Sequence, residues 1–325
     1  AACGNQATKE ASKENPKAET KTEEAAKEAK DLFGISGTYE GSAQGYGGDI
    51  KVKVSLDKGV ITAIEADHKE TSSVGGAGLE RIKEEVIAKN STDLDNISGA
   101  TISSAAFLSA VNSALEQAGI KAEDLAAKED EKGREAEITT DTVVVGAGGA
   151  GLSPAIQMAE DGKNVTIIEK AGITGGNSSY ASAGMNAAET KLQKEEGIDD
   201  TVATFIEDTM KGGHEKNKKE LVEKLAGESA AAVDWLEEQG APLKQLKLAG
   251  GQSKMRTHAP INDEGKSIPV GSYLVSKLTA KAKELGIDIV YDAKVDKIIM
   301  EDGKAAGVEA TYPDGEKLKV NAKAV

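Results

Sequence analysis

Apolar and polar side chains alternate through residues 50–56, IKVKVSL, placing Ile50, Val52, Val54 and Leu56 on one face of a strand. Asp57, Lys58 and Gly59 supply turn chemistry, and Val60–Ile64 reads as the returning strand of a hairpin set within residues 37–66. Helical patterning follows over about 79–88 and again over about 103–118. Between the two helices, residues 95–104 read DNISGATISS. Their small side chains leave the hydroxyl of Thr101 accessible at a helix entrance. Residues 32–120 therefore predict an α+β domain.

A different pattern opens the second half. An apolar β-branched run, Thr142 to Val145, leads into Gly146, Gly148 and Gly151; a helical stretch follows, then a second apolar run, Val165 to Ile168. Glu169 closes that run, 18 residues beyond Gly151. Strand, glycine turn, helix, strand and acid in this order predict a Rossmann-like dinucleotide site. Gly146 permits the tight turn, Gly148 admits a pyrophosphate to the backbone, and Gly151 lets the helix pack closely. Ala150 lies at the helix N-terminus, whose partial positive charge suits phosphate. Glu169, with Lys170 beside it, is placed to accept hydrogen bonds from a ribose. A glycine turn that only packs would leave Glu169 unexplained. Further along, residues 199–239 read as helical, with Val202, Phe205, Ile206 and Met210 on one face and His214 at a turn. Residues 272–285 predict an amphipathic helix, 287–291 a parallel strand, and 297–310 and 317–325 a hairpin and strand. Residues 138–325 thus read as an α/β domain.

Two polar segments frame the first domain. Residues 1–31 are poor in large apolar groups and rich in Lys, Glu, Ala and Thr, the composition of a solvated tether. Residues 121–137 are nearly all charged or small and read as a solvated connector, partly helical, that lets the domains move. The net charge of −15 argues against nucleic acid or an anionic lipid surface as partner. No apolar run approaches the ~20 residues of a membrane span. Three histidines and one cysteine provide no metal-ligand cluster and no disulfide.

The first domain resembles the small FMN-binding domain whose threonine carries FMN through a phosphoester. The family signature of an acid followed by Ser/Thr-Gly-Ala-Thr is matched by Asp95 and by Ser98, Gly99, Ala100 and Thr101. GTYEGSAQGYGG (37–48) and HKET (68–71) resemble the same family. The resemblance implies covalent FMN on Thr101, placed there by a separate flavin transferase that reads the motif around Asp95. The plainer alternative is that Thr101 or Ser103 only caps a helix. For His68, an ordinary loop histidine stands against a flavin-facing one. Cys3, between Ala2 and Gly4, resembles the lipidated cysteine of a bacterial lipoprotein. That implies a lipid anchor on the outer face of the cell membrane and a membrane electron donor; a stray thiol in a disordered terminus is the alternative.

The second domain resembles the flavoprotein subunits of the fumarate reductase and succinate dehydrogenase family, including relatives that reduce urocanate or acrylates. AGITGGNSSYASAGMNAAET (171–190) carries the likeness. It implies that Gly176, Asn177, Ser178, Gly184 and Met185 line noncovalent FAD, with backbone near Val295 holding the adenine. GGQSKMRTHAP (250–260) resembles the segment whose histidine binds a substrate carboxylate, which falls on His258 with Arg256 upstream. The alternative for His258 is a surface loop histidine. The following INDEGKSIPVGSYL departs from the glycine-rich stretch of fumarate-specific members, leaving the substrate's identity open.

In the family, the strand at 317–325 continues into a flavin-contacting turn, a capping domain, a proton-donating arginine and further His and Arg ligands. The chain is accordingly expected to be part of a longer enzyme, and inactive by itself. The implied activity is electron transfer from FMN to FAD, then hydride to an α,β-unsaturated carboxylate such as fumarate, or a urocanate- or acrylate-type acid. Rival readings are a flavin electron carrier without a substrate, and oxidation of succinate or aspartate with FAD as acceptor.

Overall fold

In a computed structural model of the chain, residues 32–71, 74–128 and 134–325 are described. Cys3 and the rest of the 1–31 leader lie outside these residues, as does 129–133 of the expected connector. The alternating run forms β2 (Asp49–Asp57), with Ile50, Val52, Val54 and Leu56 all buried. It is the middle strand of an antiparallel sheet between β1 (Gly37–Gln44) and β3 (Val60–Asp67). Lys58 and Gly59 join β2 to β3 with φ of 51° and 76°, the doubly left-handed turn that matches strand twist.

Helices α1 (Gly75–Lys89) and α2 (Thr101–Gln117) cover the buried face. Leu79, Ile82 and Val86 from α1 meet Phe107, Val111 and Leu115 from α2 there. Both helices start earlier than their periodicity predicts: the first turn of α1 is only glycine and alanine, and in α2 the early apolar residue, Ile102, is exposed and lies off the buried face. At Gly41 of β1, a Cβ would lie 2.1 Å from the Ala110 carbonyl oxygen, so the close seating of α2 requires glycine.

The stretch after α2 corrects the expectation of a free connector from residue 121. Leu125 is buried in the first core, Asn90 donates to the Ala126 carbonyl (3.1 Å), and the Lys128 N–H donates to that of Lys89 (2.8 Å). A segment rich in charge still docks where one leucine and two backbone groups find partners.

In the second half, β4 (Glu137–Val145), α3 (Gly149–Glu160) and β5 (Val165–Ile168) form the predicted strand–helix–strand unit. A six-stranded sheet runs β10-β11-β12-β4-β5-β9, using β9 (Asp288–Val290), β10 (Lys294–Glu301), β11 (Lys304–Thr311) and β12 (Lys317–Ala324). β12, β4, β5 and β9 pair in parallel, whereas β10 and β11 form an antiparallel arm. α3 and α7 (Val270–Glu284) pack one core with Leu152, Ile156, Ile167 and Leu278. Val143, Ile168, Val308, Leu318 and Val320 form another. The helical stretch near 199–239 is broken into α5 (Val202–Gly212) and α6 (Lys219–Glu238), with α4 (Lys191–Glu195) before them. His214 takes φ 53° in the intervening turn. The sequence gives no sign of a small sheet, β6-β8-β7, made from β6 (Met185–Asn186), β7 (Gln245–Lys247) and β8 (Thr257–Ala259). Strands this short are too brief to establish a period.

Candidate functional site

The loop before α2 is built to present Thr101. Asp95, Ser98 and Gly99 are exposed, Gly99 takes φ 86°, and Ala100 is buried against Gly78 of α1. Ser104, fully buried, holds the loop: its hydroxyl accepts from the Ile97 N–H (3.1 Å) and donates to the Ala100 carbonyl (3.0 Å). Thr101 is exposed at the first position of α2 and is not its cap. Ala100 occupies the cap position, where no side chain bonds the first-turn N–H groups. Ser103 is also no cap, since it is buried and donates to Glu70 (2.6 Å). Both capping alternatives for this stretch are thereby removed. An exposed hydroxyl beside first-turn N–H groups without a side-chain cap fits a phosphoester.

Glu70 lies within the HKET run but carries no role assigned from sequence. Its buried carboxylate joins Ser103 to the Gly47 N–H (2.9 Å), tying the β1–β2 turn to the start of α2. Nearby, the half-buried His68 accepts the Glu70 N–H on Nδ1 (3.2 Å) and lines a cleft with Arg81 and Thr174.

At the second site, Gly146 takes φ 98° with open space where a Cβ would stand. Gly148 has φ −80°, which any residue adopts, and a Cβ there would make only ordinary contacts of 3.5 and 3.7 Å. Internal packing does not demand a glycine at 148, whereas a pyrophosphate approaching the backbone there would. Gly151 has an internal reason, because a Cβ would fall 1.8 Å from the Gly146 carbonyl oxygen. Ala150 is exposed in the first turn of α3. Ser178 Oγ accepts from the Gly149 N–H (3.1 Å), linking the 171–190 loop to this helix start.

Glu169 is buried at the tip of β5, and its two oxygens accept the N–H groups of Ala147 (2.7 Å) and Ala171 (2.8 Å). It therefore braces the glycine turn, while a carboxylate retains lone pairs for a ribose. Lys170, Gly176 and Asn177 are exposed beside it or along the same loop. Val295 is half-buried at the start of β10 and packs with Ile168 and Ala293. These placements fit a dinucleotide laid across the turn. Gly184 lines a cavity with Gly149 and Ser178, and it also has a packing reason: a Cβ there would meet the His258 carbonyl oxygen at 2.5 Å, so the seating of β8 requires glycine. Met185 pairs with His258 across β6 and β8 and packs into the α3–α7 core.

Protein groups surround both His258 and Arg256, the two residues expected at a substrate carboxylate. Arg256 is 1% exposed, held by Asp200 through Nε (3.0 Å) and Nη2 (2.9 Å), by Asp208 (2.8 Å), and over the Phe205 ring (5.0 Å). A guanidinium so enclosed braces β8. His258 is fully buried. Its Nδ1–H donates to the Arg256 carbonyl (2.9 Å), and Nε2 accepts from the Thr190 hydroxyl (2.8 Å). Burial is the main influence on its pKa and lowers it, keeping the ring neutral. Both ring nitrogens are engaged by protein groups in this arrangement. A surface loop histidine is excluded. Sequence reading missed Asp200, Asp208 and Thr190, which come from separate elements. Asp208 is pushed up by burial, but its Ser253 bonds and Arg256 outweigh this and leave its pKa lowered.

Among the described residues, no group of His, Cys, Asp and Glu could hold a metal, and no helix is long and apolar enough to cross a membrane.

Comparison with known proteins agrees with this arrangement. The family described as FAD binding domain matches residues 141–325, and the FMN-binding domain family matches 45–116. An NADH:fumarate oxidoreductase of Klebsiella pneumoniae is 35% identical over 290 residues, covering 89% of this chain and 30% of that protein. A urocanate reductase of Eggerthella lenta is 33% identical over 296 residues, covering 88% and 48%. The open form of a flavocytochrome c3 fumarate reductase superposes with a TM-score of 0.52 at 41% identity, covering 58% of this chain and 33% of that one. The chain thus spans about a third to a half of the curated relatives it matches. With its FAD-family match reaching across more than half its length, the chain belongs to the FAD-binding domain family of fumarate reductase type, fused behind an FMN-binding domain.

Proposed function

We propose that this chain is the FMN-carrying and FAD-binding part of an extracytoplasmic flavoprotein reductase for α,β-unsaturated carboxylates. Fumarate is the first candidate, followed by urocanate- and acrylate-type acids. Bound FMN and FAD would supply an electron relay and a hydride donor. Thr101 would hold the first through a phosphoester, while the turn at Gly146–Gly151, Glu169 and the loop at Gly176–Ser178 would hold the second. The observation that carries this reading is the exposed Thr101 hydroxyl, at an α2 start without a side-chain cap and inside the Asp95…Ser98-Gly99-Ala100-Thr101 run. The names of the Klebsiella and Eggerthella relatives support an unsaturated carboxylate. Cys3 behind two alanines, followed by a polar tether, supports a lipid anchor outside the cytoplasm, with a flavin transferase and a membrane electron donor as partners. Membrane release by Cys3→Ser would test that anchor.

The deciding experiment is a flavin census on protein made with a flavin transferase. Gel fluorescence after denaturation reads attached flavin, and chromatography identifies what is released, beside a Thr101→Val control. Attached FMN lost in the control, together with released FAD, is the expected result. Attached FMN without FAD would favour a carrier, and no attached flavin would end the proposed electron path.

A further inference from the structure

The loop that presents Thr101 rests on the loop that follows Glu169. A Cβ at the buried Gly172 would lie 2.9 Å from the Ser98 carbonyl oxygen and 3.1 Å from both the Ser98 nitrogen and Arg81 Nη1. Beside it, Ile173 packs on the first domain's core. Arg81 spans the junction from α1. Its Nη1 donates to the Gly172 carbonyl (2.5 Å) and to Asp292 Oδ2 (3.0 Å). Its Nε donates to Glu85 on its own helix (3.1 Å), and the guanidinium lies 4.7 Å from the centre of the Tyr291 ring. Asp292 reaches it from a left-handed corner at φ 56°, held by the N–H bond of Asp292 to the Ala171 carbonyl (3.2 Å). A second ion pair, Lys283 to Glu84 at 2.8 Å, closes the far side.

From this geometry we propose that Arg81 is a positioning residue, clasping the domains so that the Thr101 loop and the 169–178 segment approach one another in a set pose. The inference rests on the proposed two-flavin reading and adds to it a device controlling the approach of the two cofactor segments. A planar guanidinium suits the task because it can bridge a carbonyl and a carboxylate while its face rests on an aromatic ring. The Arg81 side chain keeps 23% exposure and the Lys283–Glu84 pair is largely in solvent, so salt screens both. An interface held by such contacts and one partly buried isoleucine is suited to docking and release.

Two variants approach the clasp from opposite sides. Arg81→Ala removes the cation, and Gly172→Val keeps the cation but inserts a wedge against both Ser98 and Arg81 Nη1. In the flavin-free chain, hydrogen exchange should rise in peptides covering 75–89 and 288–294 for both variants, with the cores of each domain still protected. In the flavin-loaded protein, interflavin electron transfer after a reducing pulse should slow about tenfold at unchanged flavin content. That is the change expected when ~1.4 kcal/mol of docking preference is lost. Unchanged exchange in both variants would overturn the clasp. Raised exchange with an unchanged transfer rate would overturn its positioning role. Loss of attached FMN from the wild-type census would strike the underlying two-flavin reading, and the exchange data would then decide domain docking alone.

Discussion

The Ser103 hydroxyl donates to the buried Glu70 carboxylate at 2.6 Å, joining the start of α2 to the β3–α1 loop. The other Glu70 oxygen holds the Gly47 N–H. Replacing Glu70 with Ala leaves both donors without their acceptor, and each unsatisfied buried donor is destabilising. Glu70→Ala should lower stability by about 1.5–3 kcal/mol in denaturant titration. Glu70→Gln keeps one acceptor and should fall between the two.

Arg256 balances two acids, one of which is fully buried. Asp200 has 0% side-chain exposure and Asp208 has 16%. Arg256→Met would fill similar space but leave two carboxylates facing one another, at a cost of about 3–5 kcal/mol. The midpoint in urea should drop accordingly. Adding Asp200→Asn and Asp208→Asn should recover part of the loss, since the repulsion goes with them.

Glycine matters unequally along the chain. Gly151→Ala places a methyl 1.8 Å from the Gly146 carbonyl oxygen, which the backbone cannot move aside without opening the turn. A loss of about 3 kcal/mol or more is expected. Gly227, exposed inside α6 with nothing near its would-be Cβ, is the opposite case. Gly227→Ala should raise stability by about 0.5–1 kcal/mol. Thermal melts of both variants check the contrast.

His258 gives stability a pH dependence of definite sign. Its folded-state pKa lies below the ordinary 6.5 because burial disfavours the charged ring. The unfolded chain therefore binds the proton more readily. Its contribution is complete well above pH 6.5 and is lost as pH falls through that value toward the lowered one. His258→Gln, which does not titrate, should flatten the fall in melting temperature below about pH 6.5 while melting lower at neutral pH.

The sequence by itself determined what short-range physics writes into neighbouring residues. Ile50, Val52, Val54 and Leu56 declare a buried face through their spacing, and the glycine turn before Glu169 declares a strand–helix–strand unit by its order. Thr101 at a helix entrance was legible for the same reason, although Ala100 and the Glu70–Ser103 bond were needed to show that neither hydroxyl is a cap. Tertiary structure alone decided the rest. Arg256 and His258 look like free ligands in a polar loop until Asp200, Asp208 and Thr190 close around them from other elements. Leu125 is a lone apolar residue among charges until the first core accepts it. Arg81 meets Asp292 only because folding brings α1 to a corner 211 residues away. Periodicity reports which face of an element is apolar; it carries no information about which distant charge or carbonyl will face a given side chain.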